Sequence, residues 1–401
     1  MAKQRAAIVG VGTSEFARRI ENKTLLDLRL DAVTAAAEDA GLNPREIDGL
    51  VIGEGSESFS ERYHMEFSEI LGLYETTLCI TGPMGGSMPG YGLELARWAV
   101  ESGRCRNVLV VQGRKESDAH RPGTSAGRTY TALHGSLNMH YPDYELIYGP
   151  LMASFYALVA ERHMYEFGTT PEQLAAIPVA FRHNAGLNPD AILRDPITID
   201  DVLGSDPIST PLHKLHCCII NDGAAAFIVS GEAQARQLRK KPIFVAGSGG
   251  GQAGYFTGFL ARGGASKGYS LVRTLAKRAA ADAFREAGVT PADVDLVNMS
   301  DSFAVKPLVF LEDYGFCEKG EGGSFIGDGS RIRVGGELPV NTHGGAMSCN
   351  HAPTNFMNYI EATRQLRGEA GERQVKDARV AVAAAAAGVL STHYVSVLTN
   401  E

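Results

Sequence analysis

The densest run of groups able to move protons or donate hydrogen bonds is NTHGGAMSCNHAP at Asn341–Pro353, where Asn341, His343, Cys349, Asn350 and His351 share a loop with Gly344 and Gly345. Imidazole titrates near neutrality and amides both donate and accept, so such a loop can do acid/base work or hold a polar ligand. The same side chains can also do no more than satisfy a tight turn. A second cluster, MSDSFA at Met299–Ala304, follows an apolar run. Polar groups at the end of a buried strand can line a site: Asp301 with Ser300 and Ser302 can orient a water or a base, or Asp301 can cap the next helix. The third cluster, TGPMGGSMPGYGLELA at Thr81–Ala96, passes from an apolar strand into a helix through Gly85, Gly86 and Ser87. Free N–H groups and a positive dipole end make a helix start a place for an anion or a developing oxyanion, while glycine there can equally serve close helix–strand packing.

Two further motifs carry less. Gly10-Val11-Gly12 follows a strand but lacks the third glycine of a dinucleotide fingerprint, so it reads as a strand-to-loop turn and no nicotinamide cofactor is expected. GTSAG around Ser125 fits a hydrolase elbow in letters, yet DAHRP precedes it where an apolar strand is required, which favours a loop.

The elements that must position these clusters are revealed by an internal repeat. Shifted by 247 positions, AEDAGLNPREIDGLVI (Ala37–Ile52) lies over FREAGVTPADVDLVNM (Phe284–Met299), with Ala40/Ala287, Gly41/Gly288, Pro44/Pro291 and Asp48/Asp295 identical. Each copy predicts a helix ended by a left-handed glycine, a Pro-x-x-[IV]-Asp turn and a strand. A helix at Gly92–Ser102 before NVLVVQG and another at Phe356–Leu366 before RVAVAAAAAG extend the likeness. Apolar strands alternating with helices predict α/β layers with sheets covered on both faces. The expected division is residues 1–117 with 249–268 as the first half, 118–248 as an inserted loop domain, and 269–401 as the second half. The insertion is helical at Leu151–Phe167 and Pro171–Asn184. Its His134, His140, His163, Tyr130, Tyr141, Tyr144 and Tyr148 can line a substrate tunnel or form a packed aromatic cluster.

Composition narrows the function classes. The 401 residues hold 38 Lys+Arg against 46 Asp+Glu, a net charge of −8, with 44% hydrophobic and 21% charged residues. That balance argues against extended disorder and gives no basic footprint for nucleic acid or anionic membrane. The longest apolar stretch, Val380–Leu390, is about half of the roughly 20 residues a spanning helix needs, so no membrane span is expected. Lys3 and Arg5 precede AAIVGVG, which is short for a secretory signal and reads as a first strand. The six cysteines form no C-x-x-C pair and no framework; a cytoplasmic, reduced chain without a metal site is expected.

Taken together, AAIVGVGTSEF, FYALVAERHMYEFGTTPEQLAAIPVAFRHNAGLNP, CCIINDGAAAFIVS, LEDYGFCEKGEGGSFI, GELPVNTHGGAMSCNHAP and RQLRGEAGERQV resemble the thiolase superfamily over nearly the whole chain, in its sterol-carrier or lipid-transfer branch. The resemblance implies two pseudo-twofold-related αβαβα halves, an inserted loop domain over an acyl-CoA, and a homodimeric core. It also implies carbon–carbon bond chemistry beside a CoA thioester, with that thioester as substrate and no covalently bound cofactor.

The family's nucleophilic cysteine begins the buried helix of the first half, a place that Gly86 takes here; Cys79, inside the preceding strand, is expected in the core. The family's Asn-Glu-Ala-Phe or His-Asp-Cys-Phe run reads Ser300-Asp301-Ser302-Phe303, its Gly-His-Pro histidine matches His351 in Asn350-His351-Ala352, and its C-terminal polar loop reads AAAAAGV. Without a thiolate there is no acyl-enzyme. The resemblance therefore runs closest to the thiolase-fold aldolases that shorten steroid side chains, which act on 3-hydroxyacyl-CoA and pair with a DUF35 protein bearing an OB-fold and a zinc ribbon. Tyrosines are thought to serve those aldolases, at positions that are Ser300 and His351 here. The expected site has His351 as acid/base, with Ser300, Asp301 and the Gly85–Gly86 backbone around the thioester, and Gly85, Ser87, Asn341, Gly344, Gly345 and Asn350 binding the CoA ester. The alternatives are an acyltransferase using Cys349, or a non-catalytic subunit that binds acyl-CoA or lipid.

Overall fold

The apolar runs of the sequence become strands of one sheet. The computed structural model describes residues 4–53, 63–82, 85–119, 152–253 and 270–401. The strands of its main sheet are β1 (Ala6–Thr13), β2 (Gly49–Gly53), β3 (Leu78–Gly82), β4 (Asn107–Lys115), β5 (Asp222–Gly231), β6 (Ile243–Gln252), β7 (Leu296–Asn298), β8 (Val380–Ala387) and β9 (Thr392–Thr399), joined in the order β3-β2-β4-β5-β1-β6-β9-β8-β7. The helices that matter for the site are α1 (Leu25–Ala40), α2 (Met88–Glu101), α3 (Met152–Phe167), α4 (Pro171–Gly186), α5 (Ala276–Ala287), α6 (Val305–Asp313), α7 (Gly345–Ser348) and α8 (Phe356–Arg367).

The sheet has internal symmetry. β2-β4-β5-β1 is mirrored by β7-β8-β9-β6, each with one parallel pair (β2/β4 and β7/β8) and antiparallel neighbours after it, and the halves meet where β1 pairs antiparallel with β6. The repeated segments adopt the same parts: α1 and α5 end on Gly41 and Gly288 at φ 73° and 69°, and 3-10 turns at Pro44–Glu46 and Pro291–Asp293 lead into β2 and β7. Alternation does the rest. Ala381, Ala383 and Ala385 of β8 face the layer built by α2 and α8, whereas Val382, Ala384 and Ala386 face the layer containing α5, α6, α3 and α4.

The expected boundaries need correction. β5 lies inside the segment 118–248 yet sits between β4 and β1, because its run DGAAAFIVSG is buried at every position and needs strands on both sides. β6 begins at Ile243 and pairs along most of its length with β9, so it opens the second half rather than closing the first. Between them, α3 and α4 do cover the second half, with Tyr156, Ala176 and Phe181 in its core. Cys79 is exposed rather than core, since β3 is the edge strand and one of its faces is uncovered among the described residues. No helix among the described residues is long and apolar enough to cross a membrane; the alanine-rich C-terminal stretch is β8.

Candidate active site

The loop before α8 aims His351 through its own backbone. Asn221, just ahead of β5, accepts hydrogen bonds from the N–H of His351 at 2.7 Å and of Ala352 at 3.0 Å, and its amide donates back to the Ala352 carbonyl at 3.3 Å. The ring then meets Glu116, from the end of β4, with Nδ1 3.1 Å from Oε2, and Arg114 Nη1 donates to the other carboxylate oxygen at 3.2 Å. Cys218, in the segment entering β5, interacts with the same ring. Burial disfavours a charged imidazole, but the Cys218 sulfur and the Glu116 carboxylate outweigh it and push His351 up to about 10. Burial likewise opposes the Glu116 charge, and His351 with Arg114 holds it down to about 2. Both neighbours thus favour the imidazolium, the form able to give a proton.

Beyond β7, Lys306 at the start of α6 folds back over the Ser300–Ser302 loop. Its Nζ donates to Ser300 Oγ at 2.5 Å and Ser302 Oγ at 3.0 Å, and lies 5.6 Å from the centroid of the Tyr156 ring. Tyr156 stacks on Phe303 and donates to the Gly388 carbonyl at 2.8 Å, which pins the β8–β9 hairpin over the site. Asp301 points elsewhere: its two oxygens accept the Ala346 N–H at 3.0 and 2.8 Å, so the carboxylate holds the α7 turn and is not free for a thioester. Burial raises its pKa to about 6.

The residues expected to bind the CoA ester divide. The Asn341 side chain ties down the residue after β7, accepting from Met299 N at 2.7 Å and donating to Met299 O at 3.0 Å, and it also hydrogen-bonds Asp301. A Cβ on Gly344 would meet Ala185 at 2.5 Å and one on Gly345 would meet Asp301 at 2.0 Å, so both glycines serve close packing. Asn350 donates to the Cys349 sulfur at 3.2 Å, while its buried Oδ1 has no partner among the described residues. Gly85, Gly86 and Ser87 form the turn that opens α2.

Gly86 decides what the helix start can do. A Cβ there would sit 2.5 Å from the Ala386 carbonyl oxygen, 3.0 Å from Asn355 Nδ2 and 3.2 Å from Thr354, and Asn355 Nδ2 donates to the Gly86 carbonyl at 2.6 Å. The β8–β9 hairpin and the loop after His351 thus occupy the volume into which a side chain at position 86 would project.

Cys349 is not beside His351, although two residues away in sequence. It is fully buried with Ala185 and Ala191, accepts from Asn188 Nδ2 at 3.4 Å, and burial raises its thiol far above the ordinary range, so the expected alternative nucleophile is in the wrong place and the wrong state. The described thiol next to His351 is Cys218. His343 is also turned away: burial lowers it to about 4 despite Glu361 nearby. His163, expected as tunnel lining or packing, is wholly buried between Thr169 and Glu312. Ser125, Tyr130, His134, His140, Tyr141, Tyr144 and Tyr148 lie outside the described residues.

Reading the sequence missed Glu116, Cys218, Asn221 and Lys306. A signal existed for two of them: Lys306 is the lone cation in the apolar VKPLVFL run, and Asn221-Asp222 opens an otherwise apolar strand. Among the described residues no group of His, Cys, Asp and Glu is arranged to hold a metal.

This geometry has relatives. The thiolase C-terminal domain-like family model matches residues 263–400. The chain is 32% identical over 385 residues to an acetyl-CoA acetyltransferase of Methanothermobacter thermautotrophicus, covering 93% of this chain and 94% of that one. It is 33% identical over 382 residues to the 17-hydroxy-3-oxo-4-pregnene-20-carboxyl-CoA lyase of Mycobacterium tuberculosis, covering 92% and 93%. The chain belongs to the thiolase superfamily. Among solved structures, the Ltp2-ChsH2(DUF35) aldolase superposes with a TM-score of 0.83 at 28% identity over 99% of this chain and 98% of that one. The thiolase fold expected from the sequence motifs is therefore established, and acyl-CoA chemistry is common to lyase and acetyltransferase relatives.

Proposed function

We propose that the chain is an acyl-CoA carbon–carbon lyase that splits a 3-hydroxyacyl-CoA by retro-aldol cleavage, together with a DUF35-type OB-fold, zinc-ribbon partner. The observation that carries this reading is the Ala386 carbonyl 2.5 Å from where a Cβ on Gly86 would lie. A thiolase-type nucleophile has no room at the start of α2. Retro-aldol cleavage needs no covalent intermediate; it needs donors for the enolate oxygen, an acid for Cα and a base for the hydroxyl. His351, protonated between Glu116 and Cys218, is the acid. Main-chain N–H groups at Gly85–Gly86 are the donors offered to the thioester. Asp301, Asn341, Gly344 and Gly345 shape the loop that carries His351. The lyase and aldolase names of relatives and the DUF35 subunit named with the superposed aldolase support reaction and partner alike. A panel of 3-hydroxyacyl-CoAs, assayed with the partner for a carbonyl product and a shortened acyl-CoA, tests it. His351→Ala should lower cleavage by about 10²–10⁴-fold with an unchanged circular dichroism spectrum; full activity in that variant refutes the assignment.

One arrangement favours a second reading. Cys218, His351 and Glu116 stand in the order nucleophile, base and orienting carboxylate, which suits acyl transfer through a thioester on Cys218. Cys218→Ala separates the two: cleavage survives under the lyase reading and vanishes under acyl transfer.

A further inference from the structure

The lyase reading leaves one role vacant. His351 is charged at neutral pH and can give a proton, so another group must take the proton of the β-hydroxyl. Lys306 is 3% exposed, its described hydrogen-bond partners are the hydroxyls of Ser300 and Ser302, and among the described residues no carboxylate is in ion-pair contact with it. A buried ammonium whose described hydrogen-bond partners are both hydroxyls is disfavoured, and losing a proton relieves that cost. The titratable groups that face it are Asp301 on its own loop, Cys218 from the segment entering β5, His393 from β9 and Tyr156 from α3.

Resting on the lyase reading, we infer that Lys306, acting through the Ser300 hydroxyl it holds at 2.5 Å, is the proton acceptor for the substrate β-hydroxyl. From the neutral amine, with the Ser300 hydroxyl turned to donate to Nζ, the substrate hydroxyl proton passes to Ser300 as the Ser300 proton passes to Nζ, and the Cβ–O bond becomes a carbonyl. The Cα–Cβ bond breaks, its electron pair forms the thioester enolate, and the His351 imidazolium delivers a proton to Cα. No electrons are gained or lost; Lys306 ends with one proton more and His351 with one fewer, and transfer between them through solvent resets the site. The ordinary order of the two groups is inverted to suit these roles: burial, outweighing Asp301 and Cys218, lowers Lys306 to about 8, while His351 is raised.

Three measurements on the full chain with its partner test this. The first is cleavage of the 3-hydroxyacyl-CoA that the wild type processes best. The second is the pH profile of kcat/KM, and the third is exchange of the Cα protons of propionyl-CoA in D2O. Lys306→Met and Lys306→Arg, neither able to accept a proton, should each lose about 10²–10⁴-fold in cleavage and the acidic limb near pH 8, yet keep Cα exchange. Cleavage within threefold of wild type in either variant, or an unchanged acidic limb, overturns the inference. Loss of exchange together with cleavage also overturns it, because that marks a collapsed site. Absence of cleavage in the wild type across the whole panel refutes the lyase reading first.

Discussion

At the residue scale, the state of His351 is set by two neighbours from distant segments, Glu116 after β4 and Cys218 ahead of β5. Its pKa near 10 means that the stability this cluster contributes is complete below about pH 6.5, the value of a free imidazole, and is lost as pH rises through about 10. Glu116→Gln removes one of the two groups that raise it. The basic limb of the cleavage profile should then move to lower pH, with activity at pH 9 down by about twofold for a displacement of one unit and by about tenfold for two. A basic limb in the same place would show that Glu116 does not govern the acid. Of these residues His351 was legible in sequence because its loop holds an unusual density of polar side chains. Glu116 was not, since a carboxylate after a strand is commonplace and only the fold brings it across 235 positions to the ring. Asp301 was legible as important but not in its role, because its partner Ala346 N–H belongs to a distant turn.

At the element scale, the loop carrying the site is anchored from behind by α8. Glu361 is fully buried, accepts from Thr342 Oγ1 at 2.8 Å and from Gln365 at 3.0 Å, and pairs with Arg373 at 2.9 and 3.0 Å. Burial opposes its charge, and Arg373 still keeps it below the usual carboxylate range. The contribution is therefore present above about pH 4.3 and lost as pH falls through the lower folded value. Glu361→Ala leaves Arg373 buried and unpaired and should cost about 3–5 kcal/mol in denaturant unfolding; a loss under 1 kcal/mol would show that the pair is not structural. The helices and strands of both repeat copies were legible, because a left-handed glycine after a periodic helix and a Pro turn before an apolar run are local signals. The insertion boundary was not. DGAAAFIVSG reads the same whether it joins the main sheet or a separate domain, and strand partners are a property of the whole chain.

At the scale of the whole molecule, β3 is hydrogen-bonded to β2 on one side, and the other side of this edge strand has no partner strand among the described residues. An uncovered edge of this kind invites pairing with another chain. A homodimer joined there should sediment at twice the chain mass, and Ile80→Arg should shift it to the monomer; a wild-type monomer at micromolar concentration would contradict the homodimeric core that the family resemblance implies. The chemistry of the whole assembly rests on one question, whether the acyl group ever becomes bonded to protein. Intact-mass spectrometry of the chain quenched during turnover of an acyl-CoA substrate answers it. The lyase account predicts the unmodified mass alongside shortened acyl-CoA and a free carbonyl product. An added acyl mass that maps to Cys218 and forms and decays at the rate of turnover would contradict it.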